Sequence, residues 1–347
     1  MEMEWTILDG IVLPTLYCPF PPRINVYADE VQAHTTEWVN RFELLHSERG
    51  RRKFAAGKYG YLAARAYPDT GYEECALVSD WNTWLFLLDD ECDEEFLGKH
   101  PDRLAATFAT LWGVLNGTAT DQQISTPFMR SLQDLWDRMV YCTTAKWQAR
   151  FRRTTQEYAD ACVWESSNRE RGIVPSLSDY IAMRPHTSAL NTTLDMIDFT
   201  EHIDLPDAIR EHDAVRRLAL MANNVVSWAN DIMSLEKELR RGDVHNLPLA
   251  LQHERGMSLQ EAVNEAAVMH DAEVRAFIDL NERLLKELPP VDDDIQRQLV
   301  KFVNVLTAWM RGNIDWSYES GRYRPAALLE LAQLAPDAPA VVVATQE

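Results

Sequence analysis

Apolar residues recur at helical spacing along most of this chain. Val31, Trp38, Phe42 and Leu45 mark one stripe and predict a helix over 27–46. The run Tyr59-Gly-Tyr-Leu-Ala-Ala-Arg-Ala-Tyr67 predicts a second, ended by Pro68. A third is expected from Tyr72 to Leu97, with others near 101–116 and 126–165. One more is expected from Ser176 to about Ile203, and one from Pro206 to Arg241 that Gly242 stops. The last two fall near 258–288 and 292–320. Alternation rich in Val, Ile and Thr is nearly absent, so no sheet is expected. Pro14, Pro19, Pro21 and Pro22 forbid a helix near the start, leaving residues 1–26 as an extended arm. Its Leu13, Leu16, Tyr17 and Phe20 are apolar enough to pack on something. No repeat and no Gly/Ser linker divides 27–324, and 325–347, rich in Ala and Pro, reads as a flexible tail. The fold class expected is all-α, a single helical bundle.

Two polar clusters interrupt the apolar pattern. Asn230, Ser234 and Glu238 lie four apart, so on a helix they form one row of oxygen-bearing side chains, about 6 Å per step. An amide carbonyl, a hydroxyl and a carboxylate in a row suit a hard divalent cation such as Mg²⁺; a row of this kind alone also reads as a solvated face. Far upstream, Trp81-Asn-Thr-Trp-Leu-Phe-Leu-Leu88 runs directly into Asp89-Asp90-Glu91-Cys92-Asp93-Glu94-Glu95. An apolar helix that ends in carboxylates sets them at the rim of the core. Six acids in seven residues repel one another unless cations or solvent screen them.

Charge and composition narrow the partners. A formal charge of −20 excludes binding to a phosphate backbone and attraction to anionic lipid. An acidic protein that handles an anionic substrate needs metal ions to bridge the like charges. The start shows no secretory signal and no run is long enough to span a membrane. Cys18, Cys75, Cys92, Cys142 and Cys162 are odd in number and lack CxxC spacing, as expected of reduced thiols in a cytoplasmic protein.

Taken together, Asp89-Asp90-x-x-Asp93 and Asn230-Asp231-x-x-Ser234-x-x-Lys237-Glu238 resemble the aspartate-rich and NSE motifs of bacterial class I terpene synthases, the sesquiterpene cyclases among them. The resemblance extends to Leu16-Tyr17-Cys18-Pro19-Phe20-Pro21, to Arg184 within Tyr180-Ile-Ala-Met-Arg184, and to the terminal pair Arg322-Tyr323. It implies a central active-site cavity and three Mg²⁺ ions, held by Asp89, Asp90 and Asp93 on one wall and by Asn230, Ser234 and Glu238 on the other. Arg184, Lys237, Arg322 and Tyr323 would bind the diphosphate of a prenyl substrate, the arginines in bidentate fashion. Pro185 should break the helix just past Arg184. By resemblance, Thr187 and Ser188 would then be the linker and effector positions that help trigger ionisation.

A carbocation needs walls that neither attack it nor bring water, and aromatic faces serve. Phe86, one turn before Asp89, and Trp309 are candidates, with Phe199 a third; Trp81 and Trp84 read as core. Ser234 stands where a chain-elongating prenyl transferase would need an aspartate, and no DxDD run suits a proton-initiated cyclase. A silent helical binding protein and a metal-dependent phosphohydrolase are the rivals from other classes. The arm and overall length resemble C15 enzymes, so farnesyl diphosphate is the expected substrate, with C10 and C20 diphosphates the alternatives. A homodimer is allowed but not required by the sequence.

Overall fold

The computed structural model describes residues 5–6, 10–94 and 97–323. It holds α1 (Ala28–Arg41), α2 (Glu48–Gly57), α3 (Tyr59–Ala66), α4 (Tyr72–Glu94), α5 (Pro101–Leu115), α6 (Pro127–Cys142) and α7 (Ala145–Arg171). These are followed by α8 (Leu177–Thr187), α9 (Leu190–Asp195), α10 (Ile197–Thr200) and α11 (Asp207–Arg210). Last come α12 (Asp213–Arg241), α13 (Leu247–Arg255), α14 (Leu259–Glu287) and α15 (Asp293–Glu319). The architecture is the expected all-α bundle. Trp5–Thr6 and Val12–Leu13 pair as a two-residue antiparallel ladder, a small departure from the expectation of no sheet.

Local chemistry explains where the elements stop. Gly242 takes a left-handed φ of 70° and closes α12, while the Asp243 amide reaches back to the Glu238 carbonyl at 3.0 Å. The helix expected over 126–165 is two, because Thr143 and Thr144 are extended; the Thr144 hydroxyl then caps α7 by accepting the Trp147 N–H at 3.2 Å. The short helices α2 and α13 were not anticipated. Only Phe54 and Gly57 of α2 are buried, too thin a stripe to read by periodicity.

Packing centres on α12, which lies against α14 and α15, while α15 crosses α3 and α3 packs on α1 and α4. The α1–α3 crossing is close: a Cβ on Gly60 would stand 2.5 Å from the Cα of Gln32. Trp81 and Trp84 are fully buried as core, their rings stacked at 5.5 Å. Beyond the ladder, the first residues run along α14. The Val12 and Tyr17 amides donate to Gln260 and Asp271, each at 2.8 Å, and Phe20 meets Phe277 edge-on.

Candidate active site

Between α3, α4, the α8–α9 bend, α12 and α15 the bundle encloses a cavity of about 170 Å³. Its floor is apolar, formed by Leu62, Leu85, Phe86, Leu190, Val226 and Trp309. The mouth is charged and brings the two sequence clusters together. On α4, Asp89 and Asp90 meet Lys237 of α12, whose Nζ stands 3.9 and 3.7 Å from them. Arg322, just beyond α15, closes the same mouth: its guanidinium reaches Asp89 at 3.1 Å and Asp90 at 3.4 Å and donates to the Tyr59 hydroxyl at 2.9 Å. It also lies 4.5 Å over the Phe86 ring. Lys53 of α2 adds a third cation, 3.2 Å from Asp90. Burial works to raise the Asp90 pKa, but Arg322, Lys237 and Lys53 outweigh it and hold the carboxyl down at about 2. Asp93 lies on the last turn of α4, with its side chain outside the described residues.

On α12 the row stands as the spacing implies. The Ser234 hydroxyl donates to Glu238 at 2.5 Å. The Asn230 carbonyl oxygen accepts from Arg184 at 3.1 Å and its amide donates to the Tyr323 hydroxyl at 2.6 Å. Arg184 is anchored by Asp231, which points away from the row and is buried (1% exposed). Asp231 accepts from Arg184 Nε at 3.0 Å, from the Tyr180 hydroxyl and from the Leu247 amide at 3.2 Å. Burial opposes the Arg184 charge, but Asp231 outweighs it and raises the guanidinium pKa.

Glu238 is the reverse case. Burial first, then the charges of Asp231 and Asp243, push its carboxyl up to about 8. A half-buried carboxylate short of positive charge beside a hydroxyl and an amide oxygen is what a divalent cation would satisfy. Among the described residues no three His, Cys, Asp or Glu side chains converge as a preformed metal site.

The helix break falls slightly later than expected. α8 runs through Pro185 and ends at Thr187, and the chain turns at Ala189, which holds a left-handed φ of 59°. Pro185 removes only its own N–H; its carbonyl collects Asn191 at 3.1 Å, Asn223 at 2.9 Å and Ser188 at 3.2 Å, which fixes the bend. Thr187, Ser188 and Ala189 thereby line the cavity. Phe199 does not. It packs edge-on to Trp147 on α7, because the turns after the bend carry it behind the wall.

Tyr59, Lys53, Tyr180, Asp231 and Asn246 are site residues that sequence reasoning passed over. Tyr180 had a usable signal, since it lies one turn before Arg184 on the same face. Asn246 follows the Gly242 stop and reaches the row only through a loop.

Residues 80–276 match the family model Terpene synthase family 2, C-terminal metal binding. The chain is 35% identical to germacrene A synthase of Nostoc punctiforme over 94% of its own length and 99% of the relative's. It is 36% identical to a (+)-T-muurolol synthase of Roseiflexus castenholzii, described as (2E,6E)-farnesyl diphosphate cyclizing, over 89% of this chain and 93% of that one. The crystal structure of germacradien-4-ol synthase from Streptomyces citricolor superposes with a TM-score of 0.78 at 25% identity, covering 88% of this chain and 98% of that one. Divalent-metal binding belongs to the matched domain. With the model spanning more than half of the chain and relatives aligned along nearly all of it, this protein belongs to the class I terpene synthases.

Proposed function

We propose that the protein ionises farnesyl diphosphate with Mg²⁺ and cyclises the resulting cation to a sesquiterpene, hydrocarbon or alcohol, releasing diphosphate. One observation carries the reading: cations and acids are gathered at the mouth of a pocket whose floor is apolar and aromatic. A prenyl diphosphate has that same division, a charged head and an apolar tail. The description of the Roseiflexus relative as cyclising farnesyl diphosphate supports the C15 choice.

In this reading Asp89, Asp90 and Asp93 hold Mg²⁺ on α4, and Asn230, Ser234 and Glu238 hold it on α12, three ions in all. Bound there, the metal supplies charge neutralisation to the leaving group as the C–O bond breaks and its electron pair departs with diphosphate. Arg184, Lys237, Arg322 and Tyr323 donate to the diphosphate oxygens, where charge develops. Arg322 and Lys237, which stand at Asp89 and Asp90 in the protein alone, are the donors within reach of a diphosphate that metal held by those carboxylates would bring to the mouth. Arg322 lies over the rings of Phe86 and Tyr59, at the rim of the apolar floor. Thr187 and Ser188 border the reacting carbon at the bend, and the faces of Phe86 and Trp309 stabilise positive charge along the chain. Among the described residues no helix is long and apolar enough to cross a membrane. The reading places the enzyme in the cytoplasm, alone or as a homodimer.

Incubation of purified protein with farnesyl diphosphate and Mg²⁺ under an organic overlay, read by gas chromatography–mass spectrometry, tests it. A volatile C15 product that vanishes with EDTA is expected. Product from only the parallel C10 or C20 substrate would correct the chain length. Elongated diphosphates, or free farnesol alone, would overturn cyclisation.

A further inference from the structure

Past the left-handed Gly242 the chain folds back onto the wall it has just left. Asp243 organises the turn: its Oδ1 accepts the amides of Val244 at 2.7 Å and His245 at 3.1 Å and lies 3.1 Å from His245 Nδ1. Arg169 of α7 grips the same carboxylate at 2.7 and 3.3 Å, which ties the loop to a second helix. The loop delivers Asn246, fully buried, to the N-terminal boundary of α13.

An asparagine in that position ordinarily caps its own helix by accepting an amide of the first turn. Asn246 makes no such bond. Its Nδ2 instead donates to the Asp231 main-chain carbonyl at 2.6 Å and to Glu238 Oε2 at 2.8 Å. Its own Oδ1 is buried without a hydrogen-bond partner. The side chain therefore forgoes its capping role and leaves an oxygen unsatisfied while it holds one carboxylate. Ser234 holds the other oxygen of Glu238, so the carboxylate is fixed from both sides. The neighbouring Leu247 amide docks on Asp231, the residue that anchors Arg184.

We infer that Asn246 is a positioning residue that orients the Glu238 carboxylate for the cation held by the α12 row. The inference rests on the reading that Asn230, Ser234 and Glu238 bind metal. Groups that orient a metal-binding side chain typically matter 10–100-fold in metal affinity. Without the Asn246 donor, Glu238 regains rotation about its last bond and the Mg²⁺ requirement rises, while the Asp89 wall is untouched.

Calorimetric titration of inorganic diphosphate into the full-length protein, repeated over a range of Mg²⁺ concentrations, tests this directly. Asn246→Ala should need about 10–100-fold more Mg²⁺ for half-maximal diphosphate uptake, and its kcat should recover toward the wild-type value at saturating Mg²⁺. Asn246→Leu fills the same volume without a donor and should behave alike if the alanine variant folds poorly. In a Glu238→Gln background the extra effect of Asn246→Ala on Mg²⁺ dependence should shrink to below about twofold, since the two act as one unit. A lower melting temperature with unchanged Mg²⁺ dependence, or an effect that persists in full without Glu238, would overturn the inference. Wild-type protein that takes up no diphosphate at any Mg²⁺ concentration would overturn the metal reading itself, and the inference with it.

Discussion

Replacing Asp231, which does not itself line the cavity, by Asn should cost the protein several kcal/mol. Asp231 is buried and pairs with the half-buried Arg184, 1% and 13% exposed, with the carboxylate also accepting from Tyr180 and the Leu247 amide. Removing one member of such a pair leaves the other charge uncompensated, at a cost of about 3–5 kcal/mol. The amide keeps the shape and one acceptor, so the low end, about 3 kcal/mol, is expected. At roughly 1–2 °C per kcal/mol for a chain of 347 residues, the melting temperature should fall by about 3–6 °C. Arg184 also loses its aim at Asn230, so diphosphate affinity should weaken together with stability. Equilibrium urea denaturation with a parallel thermal scan reads the first effect, and diphosphate titration the second. The double variant Asp231→Asn/Arg184→Gln should recover part of the lost stability while recovering no affinity. A single-variant loss below about 1 kcal/mol would refute the reasoning, because it would mean that solvent already screens the pair.

Three further outcomes are expected. Gly60→Ala should destabilise by about 1–3 kcal/mol in denaturation experiments, since its Cβ would stand 2.5 Å from Gln32 Cα and backbone must move; a neutral substitution would mean that α1 and α3 do not cross so closely. Phe86→Leu should lower turnover of farnesyl diphosphate and broaden the product mixture in the overlay assay, because the ring seats Arg322 at 4.5 Å as well as lining the floor; an unchanged product pattern would return Phe86 to simple core packing. Stability should fall as pH rises just above the ordinary histidine range. His34 is hydrogen-bonded to Asp80 at 2.9 Å, with Arg138 on the same carboxylate, and the Asp80 bond raises its pKa against the effect of burial. A raised histidine contributes its stability below the unfolded pKa of about 6.5 and loses it as pH passes through the folded value. The His34→Gln protein should lack this slope, and a slope that survives the change would assign it elsewhere.

Long helices and both polar clusters were legible because each depends on spacing within one segment. The stops at Gly242 and near Pro185 followed from backbone chemistry, although Pro185 proved compatible with two more helical residues and the turn waited for Ala189. Phe199 misled because a break of unknown angle separates it from the cavity. Tyr59 and Lys53 were hidden for another reason: each reaches the mouth across a helix crossing, from α3 and α2, and no periodicity encodes a crossing. Asn246 was hidden because it lies in the loop before the unanticipated α13, and only the fold shows that its amide turns back to Glu238.

The docking of the end of α15 and the residues just after it bears on how the chain matures during synthesis. Gly321 donates to the Ala56 carbonyl at 2.6 Å, and the Trp316 indole donates to Gly57 at 2.8 Å, so the segment that carries Arg322 is pinned to the α2–α3 junction some 260 residues earlier. The walls of α3, α4 and α12 emerge from the ribosome before the residues that roof them. A nascent chain therefore lacks the Arg322 contacts to Asp89, Asp90 and Tyr59 until residue 322 has left the ribosome, so this side of the mouth can close only late in synthesis.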